Sequence, residues 1–106
     1  MFTQIDVDAL AALRADGPIA LIDVRTDAEL ASGVLAGAQH LALHELPQHV
    51  SEMNPDAVTV VYCQSGGRSA QACAFLANQG FAKLHNLQGG VLAWLRDGRE
   101  LVLVGG

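Results

Sequence analysis

Two segments decide the architecture. "IALIDV" at 19–24 and "AVTVVY" at 57–62 are apolar at almost every position, without the polar alternation of a half-exposed strand. Runs of this kind suit strands buried on both faces, as in a parallel sheet. Such a sheet needs helices on both sides, and the intervening segments carry helical patterns.

The chain alternates accordingly. "FTQI" is a short strand, and Asp6 then stands where it can N-cap "VDALAALRA", with Val7, Leu10, Ala11 and Arg14 at helical spacing. Gly17 and Pro18 break that pattern before the first buried strand. Thr26 and Glu29 form a T-x-x-E capping box that opens a short helix ending near Gly33. "AQHLAL" is a weaker strand, and "HELPQHVSEM" is a short helix interrupted early by Pro47. The turn "NPD" precedes the second buried strand. "SAQACAFLANQG" follows as a helix closed by Gly80, then "AKLHNL" as a strand and "GGVLAWLRDG" as a helix. "LVLV" at 101–104 is a possible terminal extension. The expected fold is α/β in three layers, a mainly parallel sheet of about five strands with helices on both faces. Its 106 residues fit a single domain spanning 1–106.

Composition narrows the function classes. Hydrophobic residues make up 51% of the chain and charged ones 16%, which describes a folded domain rather than a disordered one. Eleven acidic and six basic residues give a net charge of -5 with no basic cluster, so no nucleic-acid partner is expected. No apolar run approaches the roughly 18 residues of a membrane span, and the opening residues lack the pattern of a secretory signal. A cytoplasmic protein with no membrane partner is therefore expected. Two cysteines make no disulfide framework, and neither a CxxC pair nor a zinc-like Cys/His spacing is present. His40, His44, His49 and His85 are scattered. His40 and His44 are four apart but begin in a strand-like stretch, so no metal site is expected.

"VVYCQSGGRSAQACAFL" at 60–76 carries the chemistry. Ligands of parallel sheets sit beyond the carboxyl ends of the strands, and Cys63 directly follows the stronger one. Gly66 and Gly67 allow positive φ and a close backbone approach, and the helix that follows aims its N–H groups and partial positive charge at the same place. Arg68 adds a permanent cation. Thiols in such surroundings fall from a pKa of about 8.5 to roughly 3.5–7.5, so Cys63 is expected to be substantially ionised at neutral pH. Cys73 lies in the helix in line with Ala70, Ala74 and Ala77, and is expected to pack against the sheet as an inert thiol.

These residues resemble the small single-domain rhodanese-like sulfurtransferases. "LIDVRTDAELASGVLAGA" is similar to the family's first signature, through Asp23, Val24, Arg25, Glu29, Gly33, Gly37 and Ala38. "VVYCQSGGRSAQACAFLANQGF" resembles its strand, loop and helix, and "LQGGVLAW" its closing signature, through Gly89, Gly90, Ala93 and Trp94. The resemblance implies that Cys63 accepts a sulfane sulfur and becomes a persulfide. Gln64, Ser65, Gly66, Gly67, Arg68 and Ser69 would cradle that sulfur. It implies thiosulfate or a low-molecular-weight persulfide as donor, and cyanide or a thiol such as glutathione or thioredoxin as acceptor. No cofactor is implied beyond the covalent persulfide.

Alternatives stay open at this level. Cys63 could hold a persulfide for a protein partner instead of turning over a small donor. A cysteine phosphatase or arsenate reductase is more remote, because those enzymes place one more residue between cysteine and arginine. Gln64 stands where small family members often carry a cation, and Val34 and Ala36 replace a customary histidine and proline. Asp23 and Arg25 read as a buried ion pair, with a catalytic role as the alternative. Trp94 and Phe75 read as core anchors. Ser65 and Ser69 either donate to the sulfur or satisfy loop groups.

Overall fold

The computed structural model describes residues 1–104. Five strands form one sheet, β1 (Thr3–Ile5), β2 (Ala20–Asp23), β3 (Gln39–His40), β4 (Thr59–Tyr62) and β5 (Leu84–Leu87). Their order is β1-β5-β4-β2-β3, and every pairing is parallel. The two apolar runs, β2 and β4, are neighbours near the middle of the sheet, which is where burial on both faces requires them to be.

The side chains of β4 divide two cores. Val60 and Tyr62 face one core with Leu10 of α1 (Val7–Asp16) and with Val91 and Trp94 of α4 (Gly90–Arg96). Val61 and Cys63 face the other with Leu46 of α2 (Leu46–His49) and with Ala72, Cys73 and Leu76 of α3 (Gly67–Asn78). This period-2 alternation makes the three layers. Asp6 caps α1 as its sequence predicts, accepting from Ala9 N at 2.8 Å.

The structure departs from the sequence reading in several local details. The short helix expected after the capping box forms and ends at Gly33, with 3₁₀ geometry over Asp27–Ser32. Arg25 takes the carbonyls of Glu29 and Gly33, at 3.4 and 2.7 Å, and Gly33 at φ 109 turns the chain back to the sheet. Carbonyls engaged in this way do not extend a helix. β3 is only two residues long, because the chain bends at Ala42 into the 3₁₀ turn Leu43–Glu45. Pro47 interrupts nothing. It lies in the first turn of α2, where its missing N–H is one that the helix leaves free.

α3 begins at Gly67, two residues before the expected start, and of the glycine pair only Gly66 takes positive φ, 110°. Its buried face is Ser69, Ala72, Cys73 and Leu76, whereas Ala74 is exposed, so the small-residue line through Ala74 does not face the sheet. Phe75 is half-buried against the core and Trp94 is 9% exposed. "LVLV" makes one antiparallel bridge, Val102 to Val34, and adds no strand to the sheet. Among the described residues, no helix is long and apolar enough to cross a membrane.

Candidate active site

Cys63 follows β4 directly and is buried, 1% exposed. The loop from Gln64 to Gly66 wraps over its sulfur and hands the chain to α3. Gly66 N donates to Sγ at 3.1 Å, and Ser69 N and Ser69 Oγ donate at 3.4 Å each. Gly66 is required here by conformation and by space. Its φ is positive, and a Cβ would meet Gly89 N at 3.2 Å.

α4 holds the other side of the loop. Val91 N donates to the Cys63 carbonyl at 3.0 Å and Leu92 N to the Gln64 carbonyl at 3.1 Å. The free N–H groups of one helix start thus satisfy the carbonyls of the loop that opens another. That close approach explains Gly90, where a Cβ would collide with the Cys63 carbonyl and stand 2.9 Å from the Gln64 carbonyl.

The electrostatics of Cys63 follow from these contacts. Burial pushes the thiol up. The hydroxyl and N–H of Ser69, then the N–H groups of Gly66 and Ser65, outweigh it and leave the thiol below its ordinary value. Cys73 has no such help, and burial drives it up to about 12. Its one polar contact is a 3.7 Å hydrogen bond donated to the His85 carbonyl. The two cysteines, ten apart in sequence, have opposite chemical character.

The cations of the site are both engaged. Arg25 and Asp23 are fully buried as an ion pair at 2.8 Å, with Arg25 Nε also donating to both carboxylate oxygens. Burial opposes the charge on Arg25, but Asp23 more than compensates and holds it firmly protonated. Arg25 Nη1 also reaches Gln64 Oε1 at 3.4 Å, so the neutral side chain at 64 leans on a buried cation. Arg68 does not hydrogen-bond the sulfur. It grips the Glu29 carboxylate at 2.6 and 2.7 Å. Glu29, also bonded by Thr26 N and Oγ1, is held down to about 2, first by Arg68.

Of the residues singled out in sequence, Gly66 and Ser69 contact the sulfur, Gln64 contacts Arg25, and Arg68 is joined to Glu29. Ser65 is exposed and acts on the thiol only through its backbone N–H, and Gly67 opens α3. The clamp role of Glu29 was hidden, because T-x-x-E also reads as a capping box. Both readings hold, since one carboxylate serves Thr26 and Arg68 together. A groove lined by Ser32, Gln64, Val91, Leu95, Arg99 and Leu101 opens beside the loop. A pocket with Ile22, Leu41, Met53 and Phe81 in its lining also touches Ala20 and Thr59, at the opposite ends of β2 and β4 from Cys63.

The rhodanese-like domain pattern matches residues 6–97, nearly the whole chain. The chain belongs to the rhodanese-like domain family. A rhodanese-like domain protein from Staphylococcus aureus has the same fold, with a TM-score of 0.86 and 28% identity, covering 98% of this chain and 100% of its own. Among relatives, a protein named sulfurtransferase from Allochromatium vinosum is 43% identical over 103 residues, 96% of either chain. A thiosulfate sulfurtransferase GlpE from Pseudomonas entomophila is 34% identical, covering 88% of this chain and 84% of its own.

Proposed function

We propose that this rhodanese-like domain is a sulfurtransferase in which Cys63 is the sulfur-accepting nucleophile. One observation carries the reading. A buried thiol held below its ordinary pKa sits at the start of a twelve-residue helix, with N–H and O–H donors converging on its sulfur. The sulfurtransferase names of full-length relatives support it.

The Cys63 thiolate attacks the outer sulfur of a donor, a new S–S bond forms, and the donor's own bond to that sulfur breaks. The leaving group is sulfite from thiosulfate, or a thiolate from an organic persulfide. Cys63 then carries a persulfide whose outer sulfur lies under the N–H groups of Gln64 to Arg68. An acceptor thiolate attacks that outer sulfur and returns the Cys63 thiolate. Backbone donors suit this chemistry because they stabilise sulfur anions and need no proton transfer.

Charge favours an organic persulfide over thiosulfate as donor. Arg68 is neutralised by Glu29, Arg25 by Asp23, and residue 64 is an uncharged glutamine, so among the described residues a dianion finds no unpaired cation at the loop. Steady-state kinetics with the organic persulfide and a thiol acceptor test the mechanism. Double displacement gives parallel lines when the reciprocal rate is plotted at several acceptor concentrations. Converging lines, or no turnover with either donor, would refute it.

A further inference from the structure

We propose that Asn86 is a positioning residue for Cys63, which donates to the Gly66 carbonyl and so releases the Ser69 hydroxyl proton to the sulfur. The proposal rests on the sulfurtransferase reading only in treating Cys63 as the reacting atom.

The Ser69 hydroxyl has one proton and two acceptors within reach, Gly66 O at 3.1 Å and Cys63 Sγ at 3.4 Å. Where that proton goes depends on what else bonds the Gly66 carbonyl. Ala70 N takes one of its lone-pair directions at 3.1 Å, as the first helical hydrogen bond of α3. Asn86 Nδ2 takes the other at 3.3 Å, from β5. With both filled, the shorter path for the serine proton has nothing left to accept it, and Oγ–H turns to the sulfur.

Asn86 is built for donation. It is 1% exposed, and its two amide protons are both used, one on Gly66 O and one on Gln4 Oε1 at 2.9 Å. The Gly66 carbonyl can only accept, which fixes the orientation of the amide. Its Oδ1 is buried without a partner. A buried, unpaired carbonyl weakens the fold, so the amide contributes through its donor side. A lone asparagine between Leu84 and Leu87 in a buried parallel strand is otherwise out of place.

The test is the rate of Cys63 alkylation by iodoacetamide against pH, which needs no sulfur donor and so separates this proposal from sulfur transfer itself. Asn86→Leu and Asn86→Val remove the donor and suit a buried strand. Each is expected to slow alkylation at pH 7 about two- to tenfold and to shift the profile to higher pH, as one lost hydrogen bond to the thiolate would. Ser69→Ala is expected to do the same. The double variant, Asn86→Leu with Ser69→Ala, is expected to match Ser69→Ala alone. The charged groups around the site, Asp23, Arg25, Glu29 and Arg68, with His40 behind the Arg25 carbonyl, are left as they are. An unmoved profile in the folded single variants overturns the proposal. So does a double variant in which both effects multiply, which would mark Asn86 as acting without Ser69. Loss of the fold in both Asn86 variants also overturns it, by making the residue a structural one.

Discussion

Arg68 donates both Nη groups to the Glu29 carboxylate, at 2.6 and 2.7 Å, and so ties the loop of Cys63 to the 3₁₀ turn 39 residues earlier. The cation that completes the loop motif therefore serves first as a clamp. It holds the start of α3 in place while the sulfur is bonded by backbone and serine donors.

Breaking that clamp has a pH signature. The Glu29 carboxyl falls from 4.5 to about 2 in the folded state, chiefly through Arg68. Between those values the unfolded chain binds more protons, so the stabilisation is complete above about 4.5 and fades as pH falls through about 2. Glu29→Gln is expected to lower stability by about 1 kcal/mol at pH 7, since the pair is partly exposed and screened. Urea melts at pH 7 and near pH 2 check this, with the difference shrinking in acid.

The buried pair is less forgiving. Asp23→Ala leaves the Arg25 guanidinium charged and enclosed, and an unpaired buried charge costs about 3–5 kcal/mol. The variant is expected to unfold far earlier in urea, with the loss showing in the equilibrium midpoint. A change under 1 kcal/mol would mean that water reaches Arg25.

The thiols should be distinguishable by count. Both thiols are buried, but only Cys63 is held below its ordinary pKa while Cys73 is raised to about 12, so native protein at pH 8 is expected to react quickly at Cys63 alone. Denatured protein should take two equivalents of the reagent. Peptide mapping that finds native label on Cys73 contradicts this assignment.

Gly90→Ala should damage chemistry and fold together. The added Cβ collides with the Cys63 carbonyl, and φ of +53° strains any L-residue. At least about 1–3 kcal/mol of stability is expected to go, by overpacking. Turnover should fall more than the folded fraction does, as the loop is pushed out of line. Equal losses would show that the loop tolerates the shift.

Gln64→Arg tests the donor preference. A cation there adds attraction for a dianion near a site whose own cations are paired, so kcat/KM for thiosulfate is expected to rise relative to an organic persulfide. The ratio should shrink again in high salt. An unchanged ratio would place the discrimination elsewhere.

Much of this arrangement was legible in the sequence, because periodicity and turn chemistry are local. The unbroken runs in β2 and β4, the Asp6 cap and the Cys63 loop ahead of α3 all follow from neighbouring residues. What was not legible depends on contacts between distant segments. Glu29 meets Arg68 only once β2 and β4 lie side by side, and Asn86 meets Gly66 only once β5 joins β4. The 3₁₀ geometry of the short helix after Thr26 was not legible for the same reason, since Arg25 bonds the carbonyls of Glu29 and Gly33 from inside the fold. Ala74 shows the limit of reading a stripe from small residues, since the buried face of α3 runs through Ser69, Ala72, Cys73 and Leu76, beside the Ala70–Ala74–Ala77 line.

Intact-mass analysis after brief exposure to thiosulfate or glutathione persulfide tests the central claim most directly. The parent protein is expected to gain one sulfur atom, faster from the persulfide, with the adduct removed by a thiol acceptor. Cys63→Ser should gain none, and Cys73→Ser should load like the parent. A sulfur adduct that persists in Cys63→Ser, or no adduct on the parent with either donor, would contradict the assignment of Cys63 as the sulfur-accepting residue.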